Sequence, residues 1–159
     1  MAEQQHVAIV PSERVLSKAK KVSKPESNRK GEPAFIMNDG MRRLSTPWSV
    51  ATIRAGQIDP MSLPAGVILD AAAGSGVQLI AFSKLLKRPA LGIELDEQIA
   101  TLCAANMQIN SDGEIQRSLD RVLIGDGSHA DSAISQYWSS LRDSGTRAHP
   151  PIAMLHLDP

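Results

Sequence analysis

The sequence predicts an α/β fold built on a parallel sheet, and three observations predict it. From residue 67 to residue 157, four short apolar runs alternate with longer stretches of helical spacing, the rhythm of stacked β-α units. The first run ends in an aspartate followed by small residues and two glycines, "VILDAAAGSG", a pattern that turns a strand into a helix and leaves backbone open to a ligand. The chain has 159 residues, 42% of them hydrophobic, which suffices for one modest core and not for two ordinary domains.

Residues 1–34 lack sustained periodicity and include "SKAKKVSKPESNRKGEP". So little apolar area does not offset the entropy of ordering, so a flexible basic arm is expected there. It carries Arg14, Lys18, Lys20, Lys21, Lys24, Arg29 and Lys30 against Glu3, Glu13, Glu26 and Glu32; such an arm is a solvated tail, one that tracks RNA, or an accessory element. The domain proper is then 35–159. In "STPWSVATIRAGQI", Ser45 and Thr46 precede Pro47 as helix-start signals, and Trp48, Val50, Ala51, Ile53 and Ile58 follow at roughly helical spacing, predicting a helix over about 47–57. "DPMSLPAG" reads as a loop punctuated by Pro60, Pro64 and Gly66. Strands are expected at 67–71, 90–94, 121–125 and 152–157. Between them, helices are expected at 76–86, on a broad apolar face, at 96–110, with Asp96 as N-cap, and at 129–143, where Ala133, Ile134, Tyr137, Trp138 and Leu141 recur at helical spacing.

The 17 basic and 17 acidic side chains cancel, so no global charge draws the chain to nucleic acid or membrane, and any such binding needs a local patch. No stretch approaches 18 uninterrupted apolar residues, and "MAEQQHVAIVPSER" has no basic region followed by a long apolar one. The chain is therefore expected to be soluble, away from membranes and cytoplasmic. Cys103 is the single cysteine, which excludes an internal disulfide and fits a reducing compartment.

Asp70, the small residues after it, and Gly74 and Gly76 opening a helix form a turn suited to nucleotides, and three classes are separable by spacing. A phosphate-binding P-loop needs Gly-Lys followed by Ser or Thr; here Gly76 is followed by Val77 and Gln78. A dinucleotide fingerprint needs a further Gly or Ala three residues beyond the second Gly, and that position is Leu79; an NAD-dependent oxidoreductase is kept as the third choice. The remaining class binds S-adenosylmethionine, a sulfonium nucleoside without phosphate, whose ammonium and ribose diol call for acidic partners. Asp70 is placed to hold the ammonium. Glu94 ends the second expected strand and can accept from both ribose hydroxyls. Asp126, in "LIGDGS", can accept from the adenine amine, and Asp158-Pro159 ends the fourth strand. In a parallel sheet all four acids fall at the carboxyl edge, where open α/β sheets bind ligands.

At these residues the chain resembles the class I, Rossmann-like S-adenosylmethionine-dependent methyltransferases, over about residues 46–159. The resemblance implies a doubly wound parallel sheet of which four strands are present and the later ones missing. It makes Asp70, Ala72, Gly74 and Gly76 the cofactor loop, Glu94 the ribose acid, Asp126 the adenine-side residue, and Asp158 with Pro159 the start of the catalytic motif. Ala72 departs from the family, which often has Gly there; the exchange matters only if that backbone needs positive φ. "STPWSVATIRAGQI", "IELDEQIATLCAANMQIN" and "LHLDP" together look most like the RNA-modifying THUMP-like and trimethylguanosine synthase-like branches, which implies a base amine of tRNA, rRNA or a cap as acceptor.

Methyl transfer chiefly requires a nucleophile aligned with the sulfonium and water excluded. Asp158, its following backbone fixed by Pro159, is the candidate acceptor of a hydrogen bond from the target amine. In the amine-methylating branches an aromatic follows this motif and stacks on the base, and the sequence stops before one. The expectation is thus the N-terminal part of a longer protein, with cofactor-loop geometry and weak or absent turnover; a non-catalytic S-adenosylmethionine-binding module is the alternative. His129, His149 and His156 lack metal spacing, and no metal is expected. Trp48, Tyr137 and Trp138 read as core, with Trp48 alternatively flanking the cofactor mouth, and Ser75 lacks the context of a hydrolase nucleophile.

Overall fold

The computed structural model describes residues 5–158, and within them the side chains of all but residues 114–116. In chain order the elements are β1 (Val7–Ile9), α1 (Glu13–Lys20), α2 (Asp39–Leu44), α3 (Trp48–Gly56), β2 (Val67–Asp70), α4 (Val77–Leu86), β3 (Ala90–Glu94), α5 (Glu97–Asn110), α6 (Glu114–Leu119), β4 (Arg121–Ile124), α7 (Ala130–Asp143) and β5 (Ile152–His156), with a single 3-10 turn at Pro60–Ser62. The five strands form one sheet in the order β1-β4-β3-β2-β5. β2, β3, β4 and β5 are parallel, and β1 runs antiparallel to β4, pairing Val7 with Ile124 and Ile9 with Val122. With β1 at its edge the five-strand order differs from the usual doubly wound one.

Why the strands read as apolar runs is visible in their surroundings: β2 is buried at all four positions, because helices cover both faces of the sheet. Alternation along β2 sends Ile68 toward α3, α4 and α5, where it joins Ala51, Val77, Ile80, Cys103 and Met107. Its neighbours Val67 and Leu69 point the other way, onto Ala133, Tyr137 and Leu141 of α7. A third cluster joins α1 to α5 through Leu16, Ala19, Leu102 and Ala105.

The four expected strands and the helices at 47–57, 76–86, 96–110 and 129–143 are present within a residue or two. Within the stretch expected to be a flexible arm, the described residues 5–34 hold regular structure. Ser12 caps α1 by accepting from Val15 N at 3.2 Å, Leu16 and Ala19 of α1 are buried against α5, and β1 adds a fifth strand. Glu26 and Phe35 pair backbone to backbone across position 34. The reason is economy of area: two apolar residues three apart and a three-residue strand leave no sustained period, yet a prepared α5 face and an open β4 edge need no more. Among the described residues no helix is long and apolar enough to cross a membrane.

Candidate functional site

The site is assembled where β2, β3, β4 and β5 end on the same edge. Asp70 closes β2 with its side chain almost wholly buried, and its Oδ1 accepts from Ala72 N at 3.0 Å. Burial pushes the Asp70 carboxyl above its ordinary value; the Ala72 amide and the His156 ring pull it down, while Asp158 and Glu94 push it further up. The turn that follows needs its glycines: Gly74 has φ +54° and Gly76 φ +87°. A Cβ on Gly76 would stand 2.8 Å from Cys103 Sγ, whereas one on Gly74 would meet nothing within 4 Å. Ala72 is not left-handed, since Lys87 is the one non-glycine with positive φ among the described residues. The departure from glycine at 72 therefore strains nothing.

Glu94, at the end of β3, holds the turn. Its Oε2 accepts from Gly74 N at 3.0 Å and its Oε1 from Asp96 N at 3.2 Å, so one carboxylate spans the glycine turn and the start of α5. Asp96 in turn caps α5 through Ile99 N at 3.0 Å. After β4, Asp126 Oδ1 accepts from Ser128 N at 2.9 Å and from Ser128 Oγ at 2.8 Å, and these bonds hold its carboxyl below its ordinary value. His6 Nε2 donates to the Asp126 carbonyl at 2.9 Å. Gly127 passes so close to the Ala71 carbonyl that a side chain there has no room. The β4 loop and the glycine turn are thus packed backbone on backbone.

A cleft of about 690 Å³ opens at this edge, lined by Asp70, Ala72, Gly74, Gln78, His156 and Asp158 among others. Of the expected site residues, Asp70, Ala72, Gly74 and Asp158 face it together. Gly76, Glu94 and Asp126 lie outside its wall; Glu94 reaches it through Gly74 N, and Asp126 belongs to the loop packed on Ala71. Asp158 is half exposed and pairs with Arg54 Nη1 at 3.4 Å. Pro159 lies outside the described residues. Trp48 does not line the cleft; it tilts against Phe35 with ring centroids 5.7 Å apart.

Several residues that sequence reasoning passed over organise this site. Arg54 reaches Gln78 Oε1 at 3.4 Å as well as Asp158, and Gln78 Nε2 donates to Ala51 O at 3.1 Å, fixing α4 to α3. Buried Asn106 donates to Ser75 O at 2.9 Å and to Ile36 O at 3.0 Å, and accepts from Ile36 N at 2.6 Å. It ties the glycine turn to the segment before α2. Ser45 and Ser75 meet hydroxyl to hydroxyl at 2.8 Å. The available signal was a polar residue at a position that helical spacing assigns to the core, as with Gln78 and Asn106. His156, beside Asp70 in the register of β5 with β2, packs edge-on against Phe82 at 5.1 Å.

Chemically the cleft is an acidic one. Asp70 and Asp158 line it, the guanidinium nearest to them is already paired, and no lysine lines it. Among the described residues no group of three or more His, Cys, Asp or Glu could hold a metal ion. Comparison with protein-family models, with curated proteins and with solved structures finds no match.

Proposed function

We propose that the cleft binds S-adenosylmethionine and that the protein transfers its methyl group to an RNA base amine. The observation that carries this is the Glu94 carboxylate on Gly74 N at 3.0 Å. In a dinucleotide or P-loop site that turn presents its N–H groups to phosphate; here an anion already occupies the Gly74 donor, and Asp70 and Asp158 add negative charge beside it. Such a setting repels pyrophosphate and suits a cationic, phosphate-free nucleoside. Strand order adds support: leaving β1 aside, the four parallel strands run third, second, first, fourth in chain order, an order that Rossmann-like doubly wound sheets also contain, with the cleft where the order reverses.

When bound, S-adenosylmethionine supplies an electrophilic methyl group on a sulfonium. Asp70 would hold the ammonium, and Gly74 and Gly76 let the backbone pass beneath the ligand; Glu94 and Asp126, outside the cleft wall, would have to turn toward it to accept from the ribose hydroxyls and the adenine amine. Asp158 Oδ2, now 3.4 Å from Arg54, would accept a hydrogen bond from the target amine and turn its lone pair toward the methyl group. Arg54, 3.4 Å away, would keep that carboxylate aimed.

Titration calorimetry with S-adenosylhomocysteine and separately with NAD tests this. The expected result is binding of S-adenosylhomocysteine alone, weakened at least tenfold by Glu94→Ala, since ligand and turn both lose a charged acceptor. NAD binding would turn the assignment to an oxidoreductase. Binding of S-adenosylhomocysteine without transfer of labelled methyl to RNA would turn it to a non-catalytic binding module.

A further inference from the structure

The cleft that Asp70 and Asp158 line takes a further wall from outside the sheet edge: Asn38, Gly40, Met41, Leu44, Ser45 and Thr46, all from α2 and its flanks. In this wall Leu44 is 90% exposed. A lone leucine on an open surface needs no explanation, but this one belongs to the lining of the cleft, where a bound molecule can cover it. α2 is also held loosely. Of its six residues only Met41 is buried, and its ion pair, Arg42 with Glu26 at 2.7 Å, joins two exposed side chains, a kind of bond that adds little. A helix this short is marginal in isolation, so the packing of one methionine and the ties at its two ends decide where it lies.

Both ends are tied to the glycine turn. Before α2, the Asn106 carboxamide accepts from Ile36 N at 2.6 Å and donates to Ile36 O at 3.0 Å. The same carboxamide donates to Ser75 O at 2.9 Å, so its two donors and its acceptor are all engaged, which makes a rigid junction. After α2, Ser45 meets Ser75 hydroxyl to hydroxyl at 2.8 Å. One residue of the turn, Ser75 between Gly74 and Gly76, thus receives both flanks of α2, and a shift of the turn under a ligand reaches α2 from both ends. We infer that residues 38–46 form a lid on the cleft, which closes over the bound nucleoside through Leu44 and is coupled to occupation of the glycine turn by the Ser75 and Asn106 junction. Closure covers an apolar side chain that the open cleft leaves in water and shuts solvent out of the site. For its ligand the inference rests on the cofactor reading above; the two ties and the exposed leucine do not.

Limited trypsin digestion with and without saturating S-adenosylhomocysteine tests it, with binding itself measured by titration calorimetry. Arg42 and Arg43, exposed on α2, are the reporting sites, and Lys20 and Lys21, exposed at the end of α1, are the controls for global stabilisation by the ligand. The ligand should slow cleavage after Arg42 and Arg43 about tenfold more than cleavage after Lys20 and Lys21. Ser45→Ala, which cuts one tie to the turn, should reduce this selective protection. Leu44→Ser, at an exposed position where folding is not at stake, should weaken S-adenosylhomocysteine binding roughly three- to thirtyfold, through the apolar area no longer covered, with Leu44→Met retaining most of the affinity. Binding that slows Lys20, Lys21, Arg42 and Arg43 in equal measure, or wild-type affinity in Leu44→Ser, would overturn the lid and leave the cofactor reading standing. No binding to the unmodified protein would defeat the cofactor reading and the lid with it.

Discussion

Gly76 shows how much one residue of the turn is asked to do. Its φ of +87° lies where L side chains are strained, and a Cβ would press within 2.8 Å of the buried Cys103 sulfur. Gly76→Ala is expected to destabilise the protein by roughly 2 to 4 kcal/mol, backbone strain and overpacking together. Adding Cys103→Ala should recover the overpacking part and not the strain, and urea unfolding of the single and double variants reads both. An unchanged midpoint in Gly76→Ala would mean that the turn is softer than its packing indicates. Of the site, Asp70, Gly74, Gly76, Glu94 and Asp158 were legible as acids and glycines at strand ends because period and punctuation are local signals. What Glu94 bonds was not: the Gly74 amide is 20 residues away, and no pattern within one strand encodes it. The partners of Arg54, Gln78 and Asn106 were illegible for the same reason, lying on segments distant in sequence.

At the scale of elements, the junction between α6 and β4 carries a buried carboxyl with a consequence for pH. Asp120 Oδ1 accepts from Ala90 N at 2.8 Å, and burial pushes its pKa up to about 7, against the Ala90 amide and the charges of Arg121 and Arg117. Its unfolded value is near the ordinary 3.8. Because the folded pKa is the higher one, the folded chain binds the extra proton between these limits. The contribution to stability is therefore full below about 4 and lost as pH rises through about 7. Asp120→Asn keeps the acceptor for Ala90 N and removes the titration, so it should flatten the fall in stability between pH 5.5 and 8. It should be the more stable protein at pH 8 by roughly 1 to 3 kcal/mol in urea unfolding; parallel pH profiles for the two would contradict this. The long elements were legible from the sequence because each repeats its apolar period several times. β1, α1, α2 and α6 span three to eight residues, too few to display a period, and their order comes from surfaces elsewhere in the fold.

At the scale of the whole molecule, charge is unevenly spread along the chain. Asp70 and Asp158 line the cleft at the carboxyl edge of the sheet, whereas residues 18–54 carry nine Lys and Arg against three acids. A zero net charge concealed this, since the opposed halves cancel in any sum over the chain. The parallel order of four strands could be anticipated from the β-α alternation. The antiparallel fifth could not, because it rests on the open edge of β4 rather than on any feature of residues 7–9. The central claim is that the cleft at the carboxyl edge holds a sulfonium nucleoside, and amide shift mapping of the isotope-labelled protein during titration with S-adenosylhomocysteine tests it most directly. The expected result is a set of shifted amides confined to residues 38–46, 71–77, 94–96, 126–128 and 156–158, saturating together. Shifts centred instead on Lys18, Val22 and Thr101, in the groove between α1 and α5, or none at saturating ligand, would contradict it.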